Sequence, residues 1–110
     1  MKKTLMSVLA LSVISNSVYA VGPYSTGCSG CKIDKLYLTK NKIYIGTNYD
    51  EKKIGNCSAV SGVYMTLEKS HPLFKEIYAT LLSAKRADVP VLFRTESGNG
   101  CRIYYIVLDK

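Results

Sequence analysis

Tryptophan does not occur in this chain of 110 residues, and histidine occurs once, at His71. A single histidine excludes metal centres and proton relays built from paired imidazoles. No G-x-S-x-G, H-E-x-x-H, P-loop or Gly-rich dinucleotide fingerprint is present, so the common hydrolase, metalloprotease and nucleotide-binding chemistries have no anchor. Proline is scarce, at three residues, which excludes a polyproline rod. Charge blocks are lacking too. The chain carries 15 basic and 8 acidic residues, but basic pairs past the N-terminus occur only at Lys52-Lys53 and Lys85-Arg86. Nucleic-acid arms need a denser run than that.

Long apolar runs are missing except at the start, "MKKTLMSVLALSVISNSVYA". Lys2 and Lys3 give a positive n-region, Leu5 to Ile14 an apolar stretch, and Val18-Tyr19-Ala20 a small-x-small cleavage pattern. The stretch is too short to span a bilayer. Residues 1–20 therefore read as a signal peptide cleaved near Ala20, with no membrane span. The mature chain would be 21–110, a single small domain in the periplasm or outside the cell. Losing Lys2 and Lys3 lowers the net charge from +7 to +5. Such a surplus favours solubility and an anionic partner, and export argues against nucleic acid.

Four cysteines lie in the mature part: Cys28, Cys31, Cys57 and Cys101. An even count in a small exported domain points to two disulfides. The Cys28-Ser-Gly-Cys31 spacing also fits a redox dithiol, but such a dithiol works at the start of a helix, and no helical pattern begins here. Zinc would need a second C-x-x-C knuckle. The structural reading leads, and no cofactor or metal is expected. A Cys57–Cys101 bridge would close a loop of more than forty residues, with Cys28 then joined to Cys31. The crossed pairings, which staple the leader to the rest, stay open.

Residues 21–30, "VGPYSTGCSG", read as an irregular leader, and 31–110 as the folded domain. Leu36 and Leu38 alternate with Tyr37, and Ile43 and Ile45 with Tyr44, around a polar Thr39–Lys42 turn, which predicts a hairpin. Residues 50–56 read as a charged loop. A third strand is expected over 57–67, with Cys57, Ala59, Ser61, Val63, Met65 and Leu67 on one face and Gly62 at a bulge or bend. The period then changes. Leu73, Phe74, Ile77, Leu81, Leu82 and Ala84 form the stripe of an amphipathic helix, with Ser70 as N-cap and Pro72 in its first turn. Glu76 and Lys85-Arg86 suit the helix dipole, and Pro90 prevents continuation. Residues 89–96 alternate as a strand, 97–100 turn, and 101–109 form a last strand with Cys101, Ile103, Tyr105 and Val107 on one face.

The order β-β-β-α-β-β is the succession of an OB-fold, a mainly β five-stranded barrel with one helix. A half-open α+β sheet with the helix across one face is the alternative. His71 has no nucleophile or acid partner in its local context, and reads as a surface or cap-adjacent residue. Eight tyrosines remain after the signal peptide. Tyr37, Tyr44, Tyr64 and Tyr104 fall opposite the apolar alternation, which suggests a tyrosine-lined outer surface suited to sugars or another subunit.

The stretch "NCSAVSGVYMTLEKSHPLFKEIYATLLSAKRADVPVLFRT" resembles the middle of the small secreted OB-fold B subunits of pentameric toxins. The nearest are the subtilase cytotoxin and pertussis-like group, with similar uncharacterised periplasmic proteins of Gram-negative bacteria. A Cys-bearing strand leads to an F-x-x-[IL] helix and a short step into the next strand; the likeness spans about residues 55–108. It implies an OB barrel, export, disulfides, and a homo-pentamer recognising sialylated glycans. The cysteines are placed differently from those subunits, and no glycan-contact residue is carried over by position. The leading expectation is thus an exported, non-catalytic module binding a glycan or protein partner. A stand-alone periplasmic protein with a structural or stress role is the alternative, and a thiol-disulfide protein using Cys28 and Cys31 comes third.

Overall fold

Residues 21–108 are described by the structure, a computed structural model. Residues 1–20, the segment read as a signal peptide, and the last two residues lie outside them. The described chain is mainly β with one helix, as the alternation and the single 3.6-residue stripe predict. Among the described residues, nine strands form three sheets. One has the order β1-β2-β7-β9, with β1 (Gly22–Tyr24), β2 (Gly27–Cys31), β7 (Val91–Thr95) and β9 (Ile103–Val107). The second has the order β3-β4-β6, with β3 (Ile33–Leu38), β4 (Lys42–Thr47) and β6 (Met65–Glu68). The third is a short parallel pair of β5 (Cys57–Ser58) and β8 (Gly98–Asn99). A 3-10 turn, Glu51–Lys53, follows β4. The helix α1 spans Phe74–Ala87.

Only Lys32 separates β2 from β3, so one bent run of chain serves both larger sheets. They also meet at a single parallel bridge between Thr66 and Arg102, where Thr66 N–H donates to Cys101 O at 3.1 Å. The core fills the space between. Ile33, Ile43, Ile45, Met65 and Leu67 come from one sheet, Cys28, Cys31, Val91, Phe93 and Ile103 from the other, and Ile77, Leu81 and Ala84 from the helix.

Three bulges shape these faces. The register steps from Cys28↔Phe93 to Cys31↔Val91, from Ile33↔Thr47 to Lys35↔Gly46, and from Thr95↔Ile103 to Arg94↔Tyr105. Each step adds one residue to one strand and turns the face of everything beyond it. Inward residues are therefore spaced by three: Cys28 and Cys31, Ile33 and Leu36, Ile103 and Ile106.

The bulges and turns correct several expectations. Residues 21–30 are not an irregular leader: β1 and β2 form a hairpin, and β2 pairs with β7. Gly27 is required there, since a Cβ on it would collide with the Phe93 carbonyl. The 57–67 stretch is not one strand. Ser61 and Gly62 have φ of 53° and 73°, and Val60 bridges Tyr64 around a tight turn. Val63 is consequently exposed, while Met65 and Leu67 stay buried. In the last strand Tyr105 and Val107 face out, because the bulge breaks their alternation with Ile103. Residues 98–99 within the expected 97–100 turn pair with β5.

The helix begins three residues later than a Ser70 cap implies. His71 N–H and Phe74 N–H close successive turns on Glu68 O and His71 O, and Leu73 becomes the N-cap. Leu73 thus lies ahead of the buried stripe, and Leu82 lies beside it; both are exposed, while Ile77, Leu81 and Ala84 are covered. Asp88 caps the far end in a left-handed conformation, its N–H reaching Ala84 O and Lys85 O.

Candidate ligand-binding cleft

The loop that delays the helix also builds a recess. A cleft of about 590 Å³ runs between the 68–73 segment and β9. Tyr104 and Tyr105 form one wall, their ring centroids 5.3 Å apart. Consecutive strand residues ordinarily point to opposite faces. Here Tyr104 is the extra residue of the β7–β9 bulge, so both rings stay outside, at 55% and 40% exposure. Arg94 holds Tyr105 from the neighbouring strand: its guanidinium carbon sits 5.9 Å from the ring centroid, and Nη1 donates to the phenol oxygen at 3.4 Å.

His71 clamps the opposite wall. Its Nδ1 accepts from Leu73 N–H at 2.9 Å, which leaves the proton on Nε2 to be donated to Tyr104 O, also at 2.9 Å. The ring caps the turn before α1 and fixes that turn to β9. Pro72 and Leu73 complete the apolar lining. Two ion pairs stand at the rim, Arg102–Glu96 and Lys42–Glu68, each 3.5 Å. Apolar rings, a fixed backbone and paired charges suit reversible binding of a small ligand, and the volume falls within the usual range for such pockets, roughly 300–1,000 Å³.

The tyrosine surface expected from alternation divides in two. Tyr37, Tyr44 and Tyr64 gather on the outer face of β3-β4-β6, with centroids 5.6–6.1 Å apart. Gly46 leaves room for the Tyr64 ring. Tyr104 is not with them; it joins Tyr105 at the cleft.

The cysteines form two disulfides, Cys28–Cys31 and Cys57–Cys101, with Cα separations of 6.1 and 5.0 Å. Both members of the first pair are wholly buried. The β2 bulge turns them to the same side and so brings the C-x-x-C sulfurs together. Cys101 lies just ahead of β9, at φ 44°, and Cys57 begins the two-residue β5. Their bridge stands beside the β6–β9 junction. Disulfides of this kind fit an oxidising compartment. Among the described residues, no helix is long and apolar enough to cross a membrane, and no three His, Cys, Asp or Glu side chains are grouped to hold a metal.

One group that sequence reasoning missed is Glu51, a charged-loop residue by pattern yet only 2% exposed. Its Oε2 accepts from Thr47 N–H at 3.0 Å and from the Thr47 hydroxyl. Burial pushes its carboxyl above the usual carboxylate range, against the opposing effect of the Thr47 hydrogen bonds. No alternation signals this, because the 3-10 turn tucks the side chain under β4. Compared with known protein families, curated proteins and solved structures, the chain matches none.

Proposed function

We propose that the chain is an exported, non-catalytic binding module of OB type that takes a glycan in the cleft beside Tyr104 and Tyr105. The observation that carries this is the bulge-exposed tyrosine pair over a clamped recess. Sugar rings present flat C–H faces to aromatic rings and hydroxyls to charged groups, and the cleft supplies both, with Arg102 and Glu96 at its rim. The OB reading is supported by strand order. With β2 and β3 taken as one bent strand, the pairings run β3-β4-β6-β9-β7-β2, and α1 falls between the third and fourth strands of that series in chain order, as in an OB-fold. A thiol-disulfide role is disfavoured by the full burial of Cys28 and Cys31.

The test is a glycan array probed with the mature protein, followed by calorimetry on any saccharide retained. Tyr104→Ala and Tyr105→Ala are each expected to weaken binding about tenfold. A blank array, or an affinity indifferent to both substitutions, defeats the reading. A second reading, contact with a protein partner or a neighbouring subunit in a ring of five, is favoured by the Tyr37–Tyr44–Tyr64 cluster, whose Tyr37 is 53% exposed. Native mass spectrometry decides it: a pentamer that Tyr37→Arg dissociates supports the reading, and a monomer removes the ring.

A further inference from the structure

We propose that one pole of the molecule, formed by the tip of the β3–β4 hairpin and the loop ahead of α1, docks onto an anionic lipid surface. The two segments are hydrogen-bonded to each other. Thr39 closes the tip by hydrogen bonds from its N–H and hydroxyl to Lys42 O, at 3.0 and 2.6 Å, and Lys69 N–H donates to Asn41 O at 3.0 Å. Lys40, Lys69 and Lys75 are exposed on this pole. Among the described residues none of them has a carboxylate within ion-pair distance; the ion pairs belong to Lys32, Lys42 and Arg102. Glu76 is the acidic side chain beside Lys75, and three ammonium groups outweigh it.

Apolar side chains stand among these charges. Leu38 is 56% exposed and lies two residues from Lys40; Leu73 is 50% exposed and lies two residues from Lys75. A soluble polyanion would use the ammonium groups but leave the leucines in water. A bilayer surface takes both, since headgroup phosphates meet the lysines and the leucines reach the acyl boundary. The proposed attachment is peripheral and borders the saccharide cleft, whose lining includes Leu73 but not Leu38, Lys40 or Lys75.

Co-sedimentation of the mature protein with phosphatidylcholine vesicles, with and without phosphatidylglycerol, tests this. The protein should pellet with the anionic vesicles, and added salt should release it. Each lysine near such a surface contributes about fivefold in partition, so Lys40→Glu/Lys75→Glu should lower it by about 25-fold or more. Leu38→Ser should lower it severalfold while circular dichroism confirms the fold. The proposal is overturned by an absence of pelleting at low salt, by equal pelleting with neutral vesicles, or by indifference to either variant. Retention of dextran sulfate without retention of vesicles overturns it as well.

Discussion

At the scale of single residues, burial sets behaviour that residue type does not announce. Glu51 belongs by sequence to a run of charges, yet its carboxyl sits beneath β4 with Thr47 as its partner. Its folded-state pKa is raised by burial, so the native state holds this proton more tightly than the unfolded chain does. The resulting stabilisation is present below the unfolded carboxylate value, about 4.3, and is lost as pH rises through the higher folded value. Glu51→Gln keeps an oxygen acceptor for Thr47 and removes the charge. Thermal melts across that window should show the variant gaining on the wild type as pH rises. Parallel curves would mean that Glu51 does not titrate in this environment. His71 shows the converse: sequence context places it near a helix cap, and geometry adds its bond to Tyr104 O.

Among the elements, legibility depended on how far each obeyed one period. The helix was readable because fourteen residues keep a consistent stripe, and its phase is testable. Leu81 is fully buried and Leu82 is 39% exposed. Leu81→Asp should therefore abolish cooperative folding, while Leu82→Asp should cost under about 1 kcal/mol in urea unfolding. Similar losses from both would mean the helix is rotated. The β3–β4 hairpin was equally readable in its place and its turn, although its own bulge and the exposed Leu38 depart from strict alternation. What alternation missed was one extra residue at a time. Tyr104 and Tyr105 share the cleft, and Cys28 and Cys31 share the core, because bulges carry no strong residue signature outside glycine. The β1–β2 hairpin was hidden for a different reason. Gly27 answers to a close approach by the Phe93 carbonyl, and short glycine-rich strands have no side-chain pattern to detect.

Across the whole molecule the two larger sheets are joined by the bent β2–β3 run on one side and by the Thr66–Arg102 bridge on the other. The second junction is slender, and the Cys57–Cys101 disulfide and the β5–β8 pair reinforce it. Asn56 adds a side-chain bond to Thr95 O at 3.0 Å, and Gly100 N–H donates to Ser58 O at 2.7 Å. The two disulfides should therefore differ in effect. Loop-closure entropy assigns about 4 kcal/mol to a bridge with a sequence separation of 44, and about 2 kcal/mol to one with a separation of 3. Cys57→Ala/Cys101→Ala should then destabilise the protein more than Cys28→Ala/Cys31→Ala in urea melts. The loss should also have an address. Hydrogen exchange in the first variant should accelerate at Thr66, Gly98 and Gly100, whose amides lie at the junction, while the β3–β4 ladder keeps its protection. Uniform acceleration would instead mean that the bridge acts only on the unfolded chain, and that the junction is held by packing of the sheets and helix.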